Sequence, residues 1–392
     1  MKQILIVLFT LVLNLSAMNL DELISQALEN NPSLSSMQER ILANKQNISV
    51  SDQFSNPEVL ILTNTIDVKE PMRQDSITFK QKLPYFGKRD AARDVALAQG
   101  GVLSEDLRGA RVKLVYAIRV QAYRIWKMQR VYQIICDYEE LTRQNIALYE
   151  SYTMTSDNQH MGIMSAELAL SDLRIQKSLL LSQITSAYAS LSYLSAQEVS
   201  ELEIELSVDE MPGLSGMQKA LVHNPDLALK TEEIKREDAR VQSLQKDAYP
   251  DVSLVAGYSH RENFDDFATF GVGVTLPVYG SEGYRQEEAR RMRLSQEALR
   301  EDTRSAVSAE FQNAYAQMKS AYETYHIIND QALPQVEHMF ELINSSISAG
   351  GDLFKYIDIL VQKLKLEQKS IKAVAGYNQA RAKIQALSGE TR

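Results

Sequence analysis

The chain is written twice. In ISQALENNPSL (24–34) and MQKALVHNPDL (217–227), Ala27, Leu28, Asn31, Pro32 and Leu34 fall on Ala220, Leu221, Asn224, Pro225 and Leu227, a constant offset of 193. The same offset carries Pro57 and Val59 onto Pro250 and Val252, and Leu83, Pro84 and Gly87 onto Leu276, Pro277 and Gly280. Three separated landmarks in one ungapped register mark a duplicated unit of about 190 residues, and a fold for this chain must be buildable from two similar halves. The expected division is 18–205 and 206–392, preceded by a leader at 1–17.

Periodicity orders each half. A helix opened by Asn-Pro comes first, with Pro where a first helical turn tolerates it. A strand pair follows, at about 57–67 and 75–84 in the first copy and about 250–260 and 267–277 in the second. FATFGVGVTL alternates cleanly, with Phe270, Val272, Val274 and Leu276 on one side and Thr269, Gly271, Gly273 and Thr275 on the other. Each strand is about nine to eleven residues, the length a tilted strand needs to cross a bilayer. Alternation alone weighs that reading evenly against ordinary half-buried hairpins packed on helices.

Long helices come after the strands, at about 88–155 and 163–196, then about 284–346 and 353–387. A rod of some sixty residues is roughly 90–100 Å long and pairs in the manner of a coiled coil. Loops are expected at SDNQHMG (156–162) and SAGGD, and a kink at Pro334. The 16 Gly and 9 Pro in 392 residues also favour a few long elements.

MKQILIVLFTLVLNLSA has a basic Lys2, an apolar core and a small residue at Ala17, the layout of a secretory signal. Beyond it no apolar run is long enough for a helical span, so a membrane part must be built from strands. Two hairpins supply four strands, too few to close a barrel, and an open edge cannot sit in lipid. Several chains must therefore pool strands: eight from a dimer, twelve from a trimer. A net charge of −9 argues against nucleic acid as a partner. The single Cys136 cannot form an intrachain disulfide and reads as a small apolar residue of a helix.

With the duplicated AL-x-x-NP opening, the PEV and PDV strand starts, QKLPYFGKR, ALP at 332–334 and SAGGDLFKYIDIL, the chain resembles the TolC family of outer-membrane efflux proteins over essentially its whole mature length. The GKR turn is similar to that of metal-efflux members. The resemblance implies a mainly α fold with a small membrane β part: long antiparallel helical hairpins forming a periplasmic tunnel, and four strands given to a trimeric twelve-stranded β-barrel. It implies a passive exit duct working with a periplasmic adaptor protein and an inner-membrane pump of the RND or ABC type, anchored in outer-membrane lipid. The competing reading is a periplasmic coiled-coil structural or adhesion protein.

No catalytic constellation is visible, so an enzyme is not expected and no cofactor is called for. Pro84, Gly87, Pro277 and Gly280 read as joints where a strand ends and a tunnel helix begins. At the tunnel tip, Asp352 reads as a helix cap or gate residue. Asp358 is the better candidate for a carboxylate that threefold symmetry would turn into a ring, with Asp157 and Glu167 its weaker counterparts in the first copy. His160, Met161 and Met164, and His338 with Met339, are soft groups that suit copper or silver, though packing and loop roles account for them more simply. Lys88 and Arg89 fit either lipid phosphates or a solvated helix start.

Overall fold

The computed structural model describes residues 18–67, 69–152, 157–347 and 352–391. The expected leader lies outside them, as does most of the SAGGD turn.

The first half opens with a two-residue strand β1 (Met18–Asn19) and helix α1 (Leu20–Asn30). Helix α2 (Pro32–Ser51) follows at once. A hairpin, β2 (Glu58–Thr63) and β3 (Gln74–Leu83), leads into α3 (Lys88–Tyr152), 65 residues or roughly 97 Å long. The return helix is α4 (Asp157–Ser195). The second half has the same order: β4 (Leu202–Glu203), which pairs in parallel with β1, a short α5 (Leu214–Ala220), α6 (Pro225–Asp247), then β5 (Asp251–Arg261) and β6 (Phe264–Thr275). Helix α7 (Ser281–His326) passes through a π-helical turn at Ile327–Ala332 into α8 (Leu333–Ile347), and α9 (Leu353–Leu387) returns.

Three of these elements differ in detail from expectation, each for a local reason. Strand β2 stops at Thr63 because Asn64 closes the neck of the hairpin: its side chain accepts from Gln74 N–H at 2.8 Å and donates to the Met72 carbonyl at 2.7 Å. Helix α4 begins at Asp157, so Gly162 is helical and not part of a loop. A Cβ there would stand 3.2 Å from Leu353, and the missing side chain lets α4 and α9 approach. The turn before Pro334 is π-helical, a register that spares the carbonyl four residues back from the proline ring.

Apolar residues at helical spacing hold the rods together in successive clusters. Leu23 and Ala27 of α1 pack with Ile118, Ala122 and Ile125 of α3 and Leu191 of α4. Further along, Ile135 and Tyr149 of α3 meet Leu170 of α4 and Tyr356, Ile357 and Leu360 of α9. In the second half Phe311 and Met318 of α7 pack against Tyr377 and Ile384 of α9. Cys136 is half-buried.

Candidate membrane sheet, joints and tunnel tip

The two hairpins join into one antiparallel sheet of order β2-β3-β5-β6. Strand residues alternate between faces, so the register decides what each face carries. One face reads across the strands as Ile61–Ile77–Tyr258–Ala268, Val59–Phe79–Ala256–Phe270, Gln81–Leu254–Val272 and Leu83–Val252–Val274. The other reads Leu60–Thr78–Gly257–Thr269, Glu58–Lys80–Val255–Gly271 and Lys82–Ser253–Gly273. The first is apolar; the second is made largely of small, polar and charged residues. Nor is the apolar face covered: Phe270 is 82% exposed, Ile61 80% and Val272 68%. Hairpins packed on helices would hide these side chains. A bare apolar surface backed by a polar one suits a wall with lipid outside and water within.

Both joints turn through a left-handed glycine, Gly87 at φ +85° and Gly280 at φ +72°. Beyond that they differ. At the first, the Asp251 carboxylate accepts from Tyr85 N–H at 3.0 Å and from Lys88 Nζ at 2.7 Å, with Lys82 Nζ at 3.5 Å. The Tyr85 ring stacks on Tyr249 at 4.5 Å. Arg89 donates to the Asp52 carbonyl at 2.8 Å, and its guanidinium lies 3.8 Å above the Phe54 ring. Lys88 and Arg89 are therefore neither lipid-facing nor freely solvated in this chain; they fasten the first joint to the start of β5 and the end of α2. At the second joint Val278 N–H turns back on the Leu276 carbonyl at 3.0 Å, and Tyr279 is 93% exposed.

Replacing Asp251 by Ala removes the acceptor shared by Tyr85 N–H and a Lys88 side chain only 13% exposed. The expected loss is about 2 kcal/mol, read as a lower guanidinium midpoint, with Asp251→Asn retaining part of it.

At the tip, Asp352 caps α9, accepting from Phe354 N–H at 3.0 Å and Lys355 N–H at 3.3 Å. Asp358 lies on the exposed face of α9 with Phe354 and Lys355, its carboxylate accepting from Gln362 at 2.8 Å. The opposite face of this helix is buried, and Tyr356 there accepts from Asn145 at 2.9 Å. Glu167 is exposed on α4, and Asp157 is the first residue of that helix, its side chain outside the description. Met161 and Met164 are 65% and 57% exposed, and His338 and Met339 are exposed on α8. Among the described residues no cluster of three His, Cys, Asp or Glu is placed to hold a metal.

Sequence reasoning missed a charge cluster in the helical wall. Glu139 of α3 receives Lys177 at 2.8 Å, Arg143 at 2.8 Å and Arg174 at 3.4 Å. The hydrogen bond from Lys177 leads the effects that hold its carboxyl below the usual range. Nearby, burial pushes the Glu367 carboxyl up, partly offset by Tyr138. Arg143 is four residues from Glu139 on the same helix, but the pairings with Lys177, Arg174 and Glu367 have no sequence signal, since each joins different helices.

Residues 216–390, most of the second half, match the outer membrane efflux protein family. Those residues carry this family's domain. Likeness of fold to solved outer-membrane channels extends over both halves. The open-state MtrE outer membrane channel of Neisseria gonorrhoeae matches with a TM-score of 0.82 at 14% identity, covering 95% of this chain and 89% of that one. CusC, described for its transmembrane channel formation, matches at 0.80 and 15%, covering 94% and 91%. The outer membrane protein VceC of Vibrio cholerae matches at 0.77 and 15%, covering 95% and 97%. A search of curated proteins finds no match. Among the described residues no helix is long and apolar enough to cross a membrane.

Proposed function

We propose that this protein is a passive outer-membrane exit duct in which three copies pool their strands into a twelve-stranded barrel. Each repeat supplies one hairpin and one helical pair, and the long helices continue the wall as a tunnel through the periplasm. The observation that carries this reading is the uncovered apolar face of a four-stranded sheet whose other face is polar. A periplasmic adaptor would meet the helical tip, and an inner-membrane pump of the RND or ABC type would supply the energy. No chemistry is asked of the chain itself: substrate moves along a polar lumen. At the tip, threefold symmetry would bring three Asp358 carboxylates to one ring, attracting cations and forming a constriction that must open.

Fractionation and planar-bilayer recording test this together. A detergent-stable trimer from the outer membrane that conducts ions, with multivalent-cation block weakened in Asp358→Ala, is the expected result. Recovery as a monomer in a detergent-free periplasmic extract would favour the coiled-coil structural reading instead. Unchanged conductance and unchanged block in the variant would remove the carboxylate ring while leaving the duct.

A further inference from the structure

The duplication sets up a comparison inside the chain. In the first half, Leu34 of α2 and Leu107 and Val115 of α3 are all buried. Carried forward by 193, these positions become Leu227 of α6 and Arg300 and Ser308 of α7. Two apolar fillers are thus replaced by an arginine and a serine. All three second-half residues line a cavity of about 650 Å³ bounded by α3, α5, α6 and α7. That volume lies within the roughly 300–1,000 Å³ of ordinary small-molecule sites.

Part of the lining is apolar. Leu221 and Val222, from the turn after α5, join Leu227 and Val307 there. Leu221 and Leu227 rest against the cluster of Phe311 and Met318, whereas Val222 is 80% exposed. The charged part is Arg300 and Arg304, one turn apart on α7. Among the described residues neither makes a hydrogen bond, and their nearest carboxylate, Glu301, lies at 3.7 and 3.9 Å. The two acids that line the cavity are engaged elsewhere: Glu105 accepts from Arg108 at 2.7 Å, and Glu232 from Lys235 at 2.7 Å. Two guanidinium groups therefore share one loosely held carboxylate beside apolar side chains.

We propose that this cavity binds an amphiphilic anion, a phosphate or carboxylate head on a short aliphatic chain. Arg300 and Arg304 hold the head, and Leu221, Leu227 and Val307 take the chain. A guanidinium presents a fork of N–H donors that matches two oxygens of either head. Bound there, the head replaces contacts at 3.7 and 3.9 Å with charge-assisted hydrogen bonds. The site goes beyond the duct reading and does not rest on it, since one chain supplies every lining residue.

Packing alone does not account for this lining. The first half shows that leucine and valine fill the same positions, and a seam between helices gains stability from such filling. Arg111 already stands where α7 has Arg304, so Arg300 is the residue that makes the pair. A neutral ligand gains only the apolar contact and leaves both guanidinium groups to water. A bare anion gains only the head contacts. The two kinds of lining reward a molecule that has both parts.

Isothermal titration of the full chain, held in a non-ionic amphipol, tests the site with octyl phosphate and octanoate below their micelle concentrations. The better of the two is expected to bind with a Kd on the order of 0.1 mM, and the comparison tells which head the arginines take. Octanol and inorganic phosphate, each supplying one half of the ligand, are expected to bind about tenfold more weakly or worse. Arg300→Gln combined with Arg304→Gln keeps the cavity and should also weaken binding at least about tenfold. Arg300→Leu with Ser308→Val restores the first half's residues and should abolish binding while leaving the thermal midpoint and the yield of oligomer undiminished. No heat from either amphiphile at millimolar concentration overturns the proposal, as does octanol binding equally well or an unchanged affinity in the double Gln variant. Inorganic phosphate binding as tightly as octyl phosphate would mean an adventitious ion only, and the amphiphile would be wrong. If the filled variant fails to fold, the double Gln variant decides.

Discussion

Phe270→Arg is expected to lower the folding free energy of the membrane-inserted chain by about 2–4 kcal/mol, the cost of a lipid-facing arginine near mid-bilayer. Its neighbour Thr269→Arg carries the same charge at the same depth and is expected to cost well under half as much. Only the face differs. Phe270 continues the row Val59–Phe79–Ala256, whereas Thr269 stands beside Gly257 and Thr78 on the polar side. Urea titration of folding into lipid vesicles reads both values, and the yield of detergent-stable oligomer gives a second measure. The sign of the contrast is informative. If the hairpins were soluble, replacing an 82% exposed phenylalanine by arginine would be neutral or helpful. Equal costs for the two variants would therefore count against lipid on the apolar face.

Much of the fold was legible because duplication is a long-range signal that survives in a single chain. The constant offset located both hairpins and both joints, and strict alternation in FATFGVGVTL assigned the faces of β6 before any pairing was known. What stayed hidden depended on partners far apart in the chain. Lys88 and Arg89 looked like loose charges because Asp251 is 163 residues from Lys88, and no local pattern connects them. Gly162 looked like a loop glycine, since its reason for being small is Leu353 on another helix. Glu139 gave no sign of the two cations that reach it from α4. Strand β2 ran short for the opposite reason, a purely local one. The Asn64 side chain replaces the next rung of the ladder, and alternation cannot register a side chain that bonds like backbone.

The Asn-Pro that opens α2 and α6 also did more than its sequence pattern announced. Proline at the first helical position and asparagine before it are ordinary start signals. In the structure each asparagine has two jobs. The Asn31 carbonyl oxygen accepts from Ser33 N–H at 2.9 Å and Leu34 N–H at 3.3 Å, while its amide donates to the Leu194 carbonyl at 3.1 Å. Asn224 accepts from Leu227 N–H at 3.0 Å and donates to the Leu387 carbonyl at 2.8 Å. Both amides reach 163 residues along the chain to the last residues of the return helix, so each pins the end of a helical pair back to the start of the helix that opens the same half.

At 1% exposure, Asn224 cannot be replaced by water. Asn224→Ala should therefore lose the cap, worth about 1 kcal/mol, and also leave a buried helix-end carbonyl without its donor, worth about 1–3 kcal/mol. The expected total is about 2–4 kcal/mol, against about half that for Asn31→Ala, whose site is 9% exposed. Asn224→Ser separates the two jobs, because a hydroxyl can cap the helix but is too short to span to Leu387; it should recover only the capping share. Asn224→Asp keeps the cap and sets a carboxylate oxygen against the Leu387 carbonyl, so it should be no better than Ser. Guanidinium titration of the detergent-solubilised protein, followed by the fluorescence of its one tryptophan, Trp126, reads the series. If Asp restored full stability, the bridge to the return helix would not be a hydrogen bond. If Ser matched Asn, the bridge would contribute nothing, and the repeated Asn-Pro would be a helix start signal alone.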